Sequence, residues 1–159
     1  SKATYHPAKK LEVAKQGINY KYYEYEGKIK SVTSLADKNI SELIKEGTIS
    51  NFSLSPAQRG DFFGFEYNTW ILIPEDGVYK FYTYTDDGSL LFINNQLVVY
   101  NDGSHSAKRA DGRIALQAGF HNMQVSYFES YMGESIEIGI ISRNILEMVI
   151  PDDMLYINN

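Results

Sequence analysis

Two aspartates stand side by side between apolar stretches of the sequence. The segment Thr85-Asp86-Asp87-Gly88-Ser89 is followed directly by Leu90-Leu91-Phe92-Ile93. Neighbouring side chains of an extended chain point to opposite faces, so both carboxylates reach one ion only where the backbone bends, as at a cis peptide bond. Carboxylate oxygens are ligands that Ca²⁺ prefers. The alternative is a β-turn in which an aspartate caps the backbone and Gly88 takes the left-handed conformation.

A second polar cluster is the segment Tyr100-Asn101-Asp102-Gly103-Ser104-His105-Ser106. It contains the residue types of a hydrolase triad, but Ser104 and His105 are sequence neighbours, which makes it hard for one to activate the other. The Gly-x-Ser-x-Gly elbow is also missing. We therefore expect an ordered loop that contacts a ligand or the 86–89 loop, through Asn101, Asp102 and His105.

Further carboxyl groups and an exposed aromatic ring are expected in residues 129–134. Asp86 and Asp87 are too close to act as the acid and the base of a glycosidase, whose carboxyls lie roughly 5–9.5 Å apart. Glu129 and Glu134 can approach the same end of the molecule, but nothing assigns them those two roles. Tyr131 lies in a loop, where burial is least expected, and its ring suits stacking on a sugar.

Alternating strands are predicted to position these loops. Five of the six odd positions in Phe63–Ile73 are apolar, which indicates a half-buried strand. Asp-Gly pairs at 76–77, 87–88, 102–103 and 111–112 mark turns between short strands. The other predicted strands are Ile18–Tyr25, 78–85, Ser89–Ile93, 97–100, 112–116, 120–128 and Ser135–Ser142. This pattern predicts an all-β fold, an antiparallel β-sandwich or barrel.

One short helix is predicted over residues 34–46. Ser34 is a candidate N-cap, with Asp37 three residues later, and Gly47 is a natural stop. The apolar residues that would share one helical face are Ala36, Ile40, Leu43 and Ile44. We expect this helix to cover the core.

Composition excludes several classes of function. The 159-residue chain has 15 Lys and Arg against 20 Asp and Glu, and this net charge of −5 argues against a nucleic-acid partner. The apolar runs are too short to span a bilayer, so no membrane insertion is expected. The absence of cysteine excludes thiol catalysis and disulfides. We interpret the polar residues 1–17 as a linker or the end of a preceding domain, and 18–159 as the folded domain.

Four motifs occur in a recognisable order, and together they resemble the PA14 domain family, named after the anthrax protective antigen. They are Gly77-Val78-Tyr79-Lys80-Phe81, then 86–93, then Leu116-Gln117-Ala118-Gly119-Phe120-His121, then Val125-Ser126-Tyr127-Phe128-Glu129. The resemblance covers roughly residues 18–142. It implies a β-sandwich or barrel-like domain of secreted proteins, and the nearest versions look like those attached to bacterial glycoside hydrolases of the chitobiase or β-hexosaminidase kind.

The resemblance also implies a site. In the adhesin members an Asp-Asp pair joined by a cis peptide holds Ca²⁺, and the ion binds sugar hydroxyls; Asp86 and Asp87 match this pair. The adhesins complete the site with an Asn-containing loop, whereas residues 129–134 contain no Asn. The alternative is that Asp86 and Asp87 tie the loops together by accepting backbone N–H bonds.

We therefore expect a non-catalytic carbohydrate-binding or accessory module of a secreted, periplasmic or cell-surface bacterial glycoside hydrolase. The expected partners are a glycan and the catalytic domain of the same polypeptide, with Ca²⁺ at Asp86 and Asp87. The expected ligand-binding residues are Asp86, Asp87, Asn101, Asp102, His105 and Tyr131. A purely structural interdomain module and an independent hydrolase are the alternatives.

Overall fold

The computed structural model describes residues 4–12 and 14–158 and has the predicted all-β, antiparallel architecture. Within this part the chain forms twelve strands and two short 3-10 helices, Val32–Ala36 and Asp152–Met154. No helix of the described residues has the length and apolar character needed to cross a membrane. The strands are β1 (Ala14–Gln16), β2 (Ile18–Tyr25), β3 (Ser41–Ile49), β4 (Phe63–Ile73), β5 (Gly77–Asp86), β6 (Ser89–Ile93), β7 (Gln96–Asn101), β8 (Lys108–Leu116), β9 (Gly119–Glu129), β10 (Ser135–Ser142), β11 (Ile145–Val149) and β12 (Leu155–Asn158).

Two antiparallel sheets face each other. The larger sheet runs β1-β12-β4-β9-β6-β7, and its β4 also pairs with β2, which in turn pairs with β3. The smaller sheet runs β11-β10-β5-β8. β4 and β9 pair along their whole length, from Phe63 opposite Glu129 to Ile73 opposite Gly119. This long pairing carries the end of β9 to the end of the sandwich where β5 passes to β6.

The core lies between the sheets and is built from the alternating positions that the sequence predicts. All odd positions of β4 are buried, while its even positions Glu66, Asn68 and Trp70 keep some exposure. Residues of the opposite sheet, such as Phe81, Ile138 and Ile140, pack against them. Burying one such side chain contributes about 1.5–3 kcal/mol, which explains why the alternation determines the orientation of each strand.

A second apolar cluster covers part of the outer face of the larger sheet. Residues 26–40 cross this face, and their Leu35 packs beside Phe128 and Leu90. Gly64 leaves room for this crossing, because a Cβ there would lie 2.7 Å from both methyl groups of Leu35. Tyr25 and Phe128, which alternation turns away from the main core, are thus buried on the opposite side of the sheet.

The predicted helix over 34–46 is wrong. Residues Val32–Ala36 form a 3-10 helix whose N-cap is Ser31 rather than Ser34, and Ser41–Ile49 is strand β3. β3 pairs with β2 along the whole of that strand, from Ser41 opposite Tyr25 to Ile49 opposite Ile18. Helix propensity is a weak preference, and pairing with a neighbouring strand overrides it in this segment.

The segment interpreted as a linker makes contacts with the domain in its described part. β1 pairs with β12, with Ala14 opposite Asn158 and Gln16 opposite Tyr156. Isolated bridges join His6 to Leu116 and Lys9 to Phe120. Residues before Ile18 are therefore hydrogen bonded to the folded domain.

Candidate functional site

The adjacent aspartates lie where β5 passes to β6, and the peptide bond between Asp86 and Asp87 is cis. Gly88 is not in the left-handed conformation that the turn alternative requires. Its lack of a side chain serves a close approach instead, because a Cβ there would lie 2.7 Å from the backbone N and O of Gly103. The two polar clusters of the sequence are therefore neighbours in the fold.

Asp87 connects the loops around it. Its side chain is buried, and Oδ1 accepts hydrogen bonds from the backbone N–H of His105 at 3.0 Å and from the Ser104 hydroxyl at 3.4 Å. Oδ2 accepts the backbone N–H of Ser130 at 2.9 Å. For Asp87, the prediction that an aspartate ties the loops through backbone N–H groups is confirmed.

Asp86 is the more accessible member of the pair. Its carboxylate borders the 130–134 loop, where a Cβ on Gly133 would lie 3.2 Å from Oδ2. Its backbone carbonyl accepts the hydroxyl of Tyr127. Partial burial, followed by the charge of Asp87, raises the pKa of Asp86 above its ordinary value. Asp86 thus has a carboxylate that a ligand can reach.

Glu129 extends the pair into a cluster of carboxylates. It is the last residue of β9, is fully buried, and among the described residues neither of its carboxylate oxygens has a hydrogen-bond partner. Carboxylate oxygens of Asp86, Asp87 and Glu129 lie within 4.8 Å of one another, as do those of Asp61, Glu129 and Glu134. Burial, followed by the neighbouring carboxylate of Asp87, raises the pKa of Glu129 to about 9.

The cluster has the donor chemistry of a site for a hard cation. In the described part of the chain, none of its five carboxylates forms an ion pair with Lys or Arg. A buried carboxylate without a donor or a counter-charge costs several kcal/mol, and it avoids that cost by binding a proton or a cation. Ca²⁺ takes six to eight oxygen ligands in flexible geometry, and an all-carboxylate set fits it.

Asn101 and Asp102 lie in supporting positions. Asn101 is buried, and its Nδ2 donates to the Lys108 carbonyl at 2.8 Å. Asp102 accepts the backbone N–H of Val32 at 3.0 Å and the hydroxyl of Ser31 at 2.5 Å, so it holds the start of the first 3-10 helix. Both side chains are engaged in contacts that shape the loops around Asp87.

Among the described residues, the ring of His105 makes no hydrogen bond to a serine or threonine hydroxyl. Its ring nitrogens face two backbone carbonyls, that of Ser106 at 2.7 Å and that of Asn101 at 2.8 Å. The hydroxyl of Ser104 is directed to Asp87 instead. The arrangement does not form the hydrogen-bonded chain that a hydrolase triad needs.

Tyr131 presents its ring to solvent in the loop that follows Glu129. Its side chain is 60% exposed, and Met132 beside it is 73% exposed. Met132 and Gly133 both have a positive φ, of 62° and 90°, and the backbone of Gly133 borders Asp86. An exposed aromatic ring in a loop that borders an accessible carboxylate suits a ligand that has both an apolar face and hydroxyl groups.

The different surroundings of the two aspartates predict different effects of the same substitution. Asp87→Asn replaces one accepting oxygen by an NH₂ group that faces N–H or O–H donors, so we expect a loss of about 2 kcal/mol in the free energy of unfolding. Asp86→Asn is the matched control and is expected to cost clearly less, because the backbone N–H of Ala107 bonds to the Asp86 carboxylate whereas Asp87 accepts three hydrogen bonds. Urea denaturation in EDTA measures both, and equal losses in the two variants would contradict this division of roles.

The model of the PA14 domain family matches residues 14–153, so the chain belongs to the PA14 domain family. The resemblance drawn from the four sequence motifs is therefore confirmed at the level of the family. Attachment to a chitobiase-type hydrolase stays a prediction. Among curated proteins, none matches the sequence.

Solved structures share the fold. An anti-sigma factor domain-containing protein superposes with a TM-score of 0.74 at 21% identity. The superposition covers 89% of this chain and 48% of the other, so this chain spans about half of that protein's length. The epithelial adhesin 9 A domain from Candida glabrata, in complex with Galβ1-3GlcNAc, superposes with a TM-score of 0.73 at 12% identity, covering 98% of this chain and 97% of the adhesin domain. A β-glucosidase from Kluyveromyces marxianus in complex with glucose has a TM-score of 0.56 at 20% identity over 86% of this chain and 17% of the enzyme.

Proposed function

We propose that this PA14 domain is a non-catalytic glycan-binding module whose site is the carboxylate cluster with the adjoining 130–134 loop. The observation that carries the proposal is Glu129, a fully buried carboxylate with no hydrogen-bond partner among the described residues, which faces Asp86 and Asp87. A polar group buried in this way requires an explanation, and an ion that occupies the cluster supplies one.

Three residues would hold the ion, and the others would shape the site around it. Asp86, Asp87 and Glu129 would be the ligands of Ca²⁺, which when bound offers free coordination positions to neighbouring hydroxyl groups of a sugar. Tyr131 would stack on the face of the sugar ring. Asn101, Asp102 and His105 would act through the loops that they hold.

The proposed setting is a secreted, periplasmic or cell-surface protein, specifically a bacterial glycoside hydrolase of the chitobiase kind whose catalytic domain lies in the same polypeptide. The adhesin complexed with Galβ1-3GlcNAc and the β-glucosidase complexed with glucose support a glycan as the partner, since both contain this fold. A tethered binding module raises the effective concentration of substrate at a neighbouring active site without contributing chemistry of its own.

A calcium titration combined with a glycan array tests the proposal. We expect Ca²⁺ to bind the domain in calorimetry, Asp86→Asn to lower that affinity more than tenfold, and Asp153→Asn, an exposed aspartate elsewhere, to leave it unchanged. Glycan binding is expected with Ca²⁺ and lost in EDTA. An array without signal in both conditions would contradict glycan binding, and an equal signal in both would contradict the role of calcium.

A structural interdomain module remains the second candidate, because one edge of the smaller sheet is apolar. The edge strand β11 exposes Leu146 by 91%, Val149 by 49% and Met148 by 38%. Such a surface suits contact with another part of a host protein. This candidate predicts a blank glycan array together with lower solubility of the isolated domain than of a Leu146→Ser variant.

A further inference from the structure

A polar groove lies on the outer face of the larger sheet, away from the carboxylate cluster. Outward side chains of β2, β3, β4 and β9 line it, and Ala36 at the end of the first 3-10 helix closes one side. Its volume is about 830 Å³. Leu35, packed over Gly64, separates this groove from the end of β9 that carries Glu129. The groove is therefore a second candidate site, built from none of the cluster residues.

A row of amides crosses the floor of the groove. The strand register places Thr48, Asn19, Asn68 and Gln124 side by side on four neighbouring strands. Asn19 accepts the hydroxyl of Thr48 at 3.3 Å, and Asn68 accepts the amide of Asn122 at 3.0 Å. Among the described residues, no side-chain hydrogen bond engages the amide nitrogen of Asn19 or of Asn68. The same holds for both the oxygen and the nitrogen of the Gln124 amide. The row thus offers both donors and acceptors to a ligand.

A second row adds charges of both signs. Glu46, Lys21, Glu66 and Ser126 follow one another on the same four strands. Glu66 accepts the hydroxyl of Ser126 at 2.6 Å, and burial, partly opposed by the hydrogen bond from Ser126 and by Lys21, raises its pKa to about 6. A carboxylate accepts about four hydrogen bonds, so Glu66 keeps acceptor capacity toward the groove.

The chemistry of the lining selects a neutral, polyhydroxylated occupant. One lysine against two glutamates leaves no positive field for a phosphate or sulfate, and a single excess carboxylate is too little to retain a polycation. Amides that both donate and accept hydrogen bonds match the hydroxyl groups of a sugar, and the half-buried ring of Tyr23 adds an apolar surface. We propose that this groove is a second, calcium-independent site that binds a neutral oligosaccharide.

Nuclear magnetic resonance on the whole domain in EDTA tests this second site. The probes are cellotetraose, xylotetraose and chitotetraose, each titrated into ¹⁵N-labelled protein. We expect at least one of them to shift the backbone amide signals of Asn19, Lys21, Asn68 and Gln124. Asn68→Ala and Gln124→Ala are expected to weaken that binding roughly fivefold each, the effect of one lost hydrogen bond.

Matched variants separate this site from the carboxylate cluster. Gln96→Ala, an exposed glutamine on β7, and Asp86→Asn are expected to leave the EDTA titration unchanged. The inference is overturned if none of the three probes shifts the groove signals, if the shifts fall on residues 130–134 instead, or if raising the protein concentration alone produces them. If calcium-dependent glycan binding fails, the test of the groove in EDTA is unaffected. If no probe binds the groove, the proposal for the carboxylate cluster is likewise unaffected.

Discussion

Replacing Glu129 by glutamine is expected to stabilise the calcium-free domain and to weaken Ca²⁺ binding at the same time. In the wild-type protein the side chain is fully buried beside Asp86 and Asp87, so its ionised form is unfavourable without a cation. Glutamine keeps the size of the side chain and removes the charge. The same charge is what a bound cation neutralises, and the two effects therefore have a common physical origin.

The gain in stability has a defined dependence on pH. The pKa of Glu129 is raised from 4.5 to about 9 in the folded protein, so between these values the folded state holds a proton that the unfolded state has released. The contribution of Glu129 to the free energy of unfolding of the wild type is therefore fully present below pH 4.5. It decreases as the pH rises from 4.5 toward 9. At pH 7 the accumulated loss is about 3 kcal/mol, and Glu129→Gln removes it.

Urea denaturation in EDTA at pH 5, 7 and 8.5 measures this effect, with Glu42→Gln, an exposed glutamate on β3, as the control. We expect the advantage of Glu129→Gln over the wild type to grow with pH, and Glu42→Gln to follow the wild type. Calorimetry with Ca²⁺ is expected to show weaker binding only in Glu129→Gln. A destabilised variant at pH 8.5 would contradict the burial of an unpartnered charge, and unchanged calcium affinity would remove Glu129 from the ligand set.

The sequence pattern predicts Glu129 in the loop after the strand 120–128, whereas in the structure it is the last residue of β9. The inward residues of β9 are the odd positions from 121 to 129, so Glu129 lies on the same face of the strand as Val125 and Tyr127. A charged residue at an inward position at the end of a strand is a signal of a site. Loop position, in contrast, favours Tyr131, which is exposed in the loop that follows Glu129.

Other features depend on contacts that are distant in sequence. Asp61 joins the cluster only because the loop before β4 lies against residues 129–134, and no local pattern marks it. Asp102 is of a residue type that often binds ligands. Its carboxylate instead accepts the backbone N–H of Val32, 70 positions earlier in the chain, and so holds the first 3-10 helix. Strand β3 likewise exists because β2 lies beside it. Local periodicity identifies most strands and turns, but it carries no information about which loops meet.

Replacing Gly112 by alanine is expected to destabilise the domain strongly, although it adds only one methyl group. Gly112 lies in β8 of the smaller sheet, and its Cα faces Val98 in β7 of the larger sheet. A Cβ at this position would overlap the carbonyl oxygen of Val98 and lie 2.8 Å from its carbonyl carbon. The added methyl group would collide with backbone atoms, which cannot rotate away as a side chain can. The two sheets must therefore move apart at the edge where β7 and β8 approach each other.

Overpacking of this kind costs typically 1–3 kcal/mol and occasionally more, and we expect a loss of about 3 kcal/mol, which lowers the melting temperature by roughly 10 °C. Gly77→Ala is the matched control: Gly77 lies in β5 of the same sheet, pairs with the same strand β8, and a Cβ there would make only an ordinary contact of 3.6 Å with Tyr79. Thermal unfolding followed by circular dichroism compares the two variants.

The strain of Gly112→Ala should also reach the loop that supports Asp87. β7 ends at Asn101 and β8 begins at Lys108, and the Lys108 carbonyl accepts a hydrogen bond from the Asn101 amide. Reduced calcium affinity in Gly112→Ala but not in Gly77→Ala would show that the junction of the sheets positions the site, whereas equal melting temperatures in the two variants would contradict the close approach.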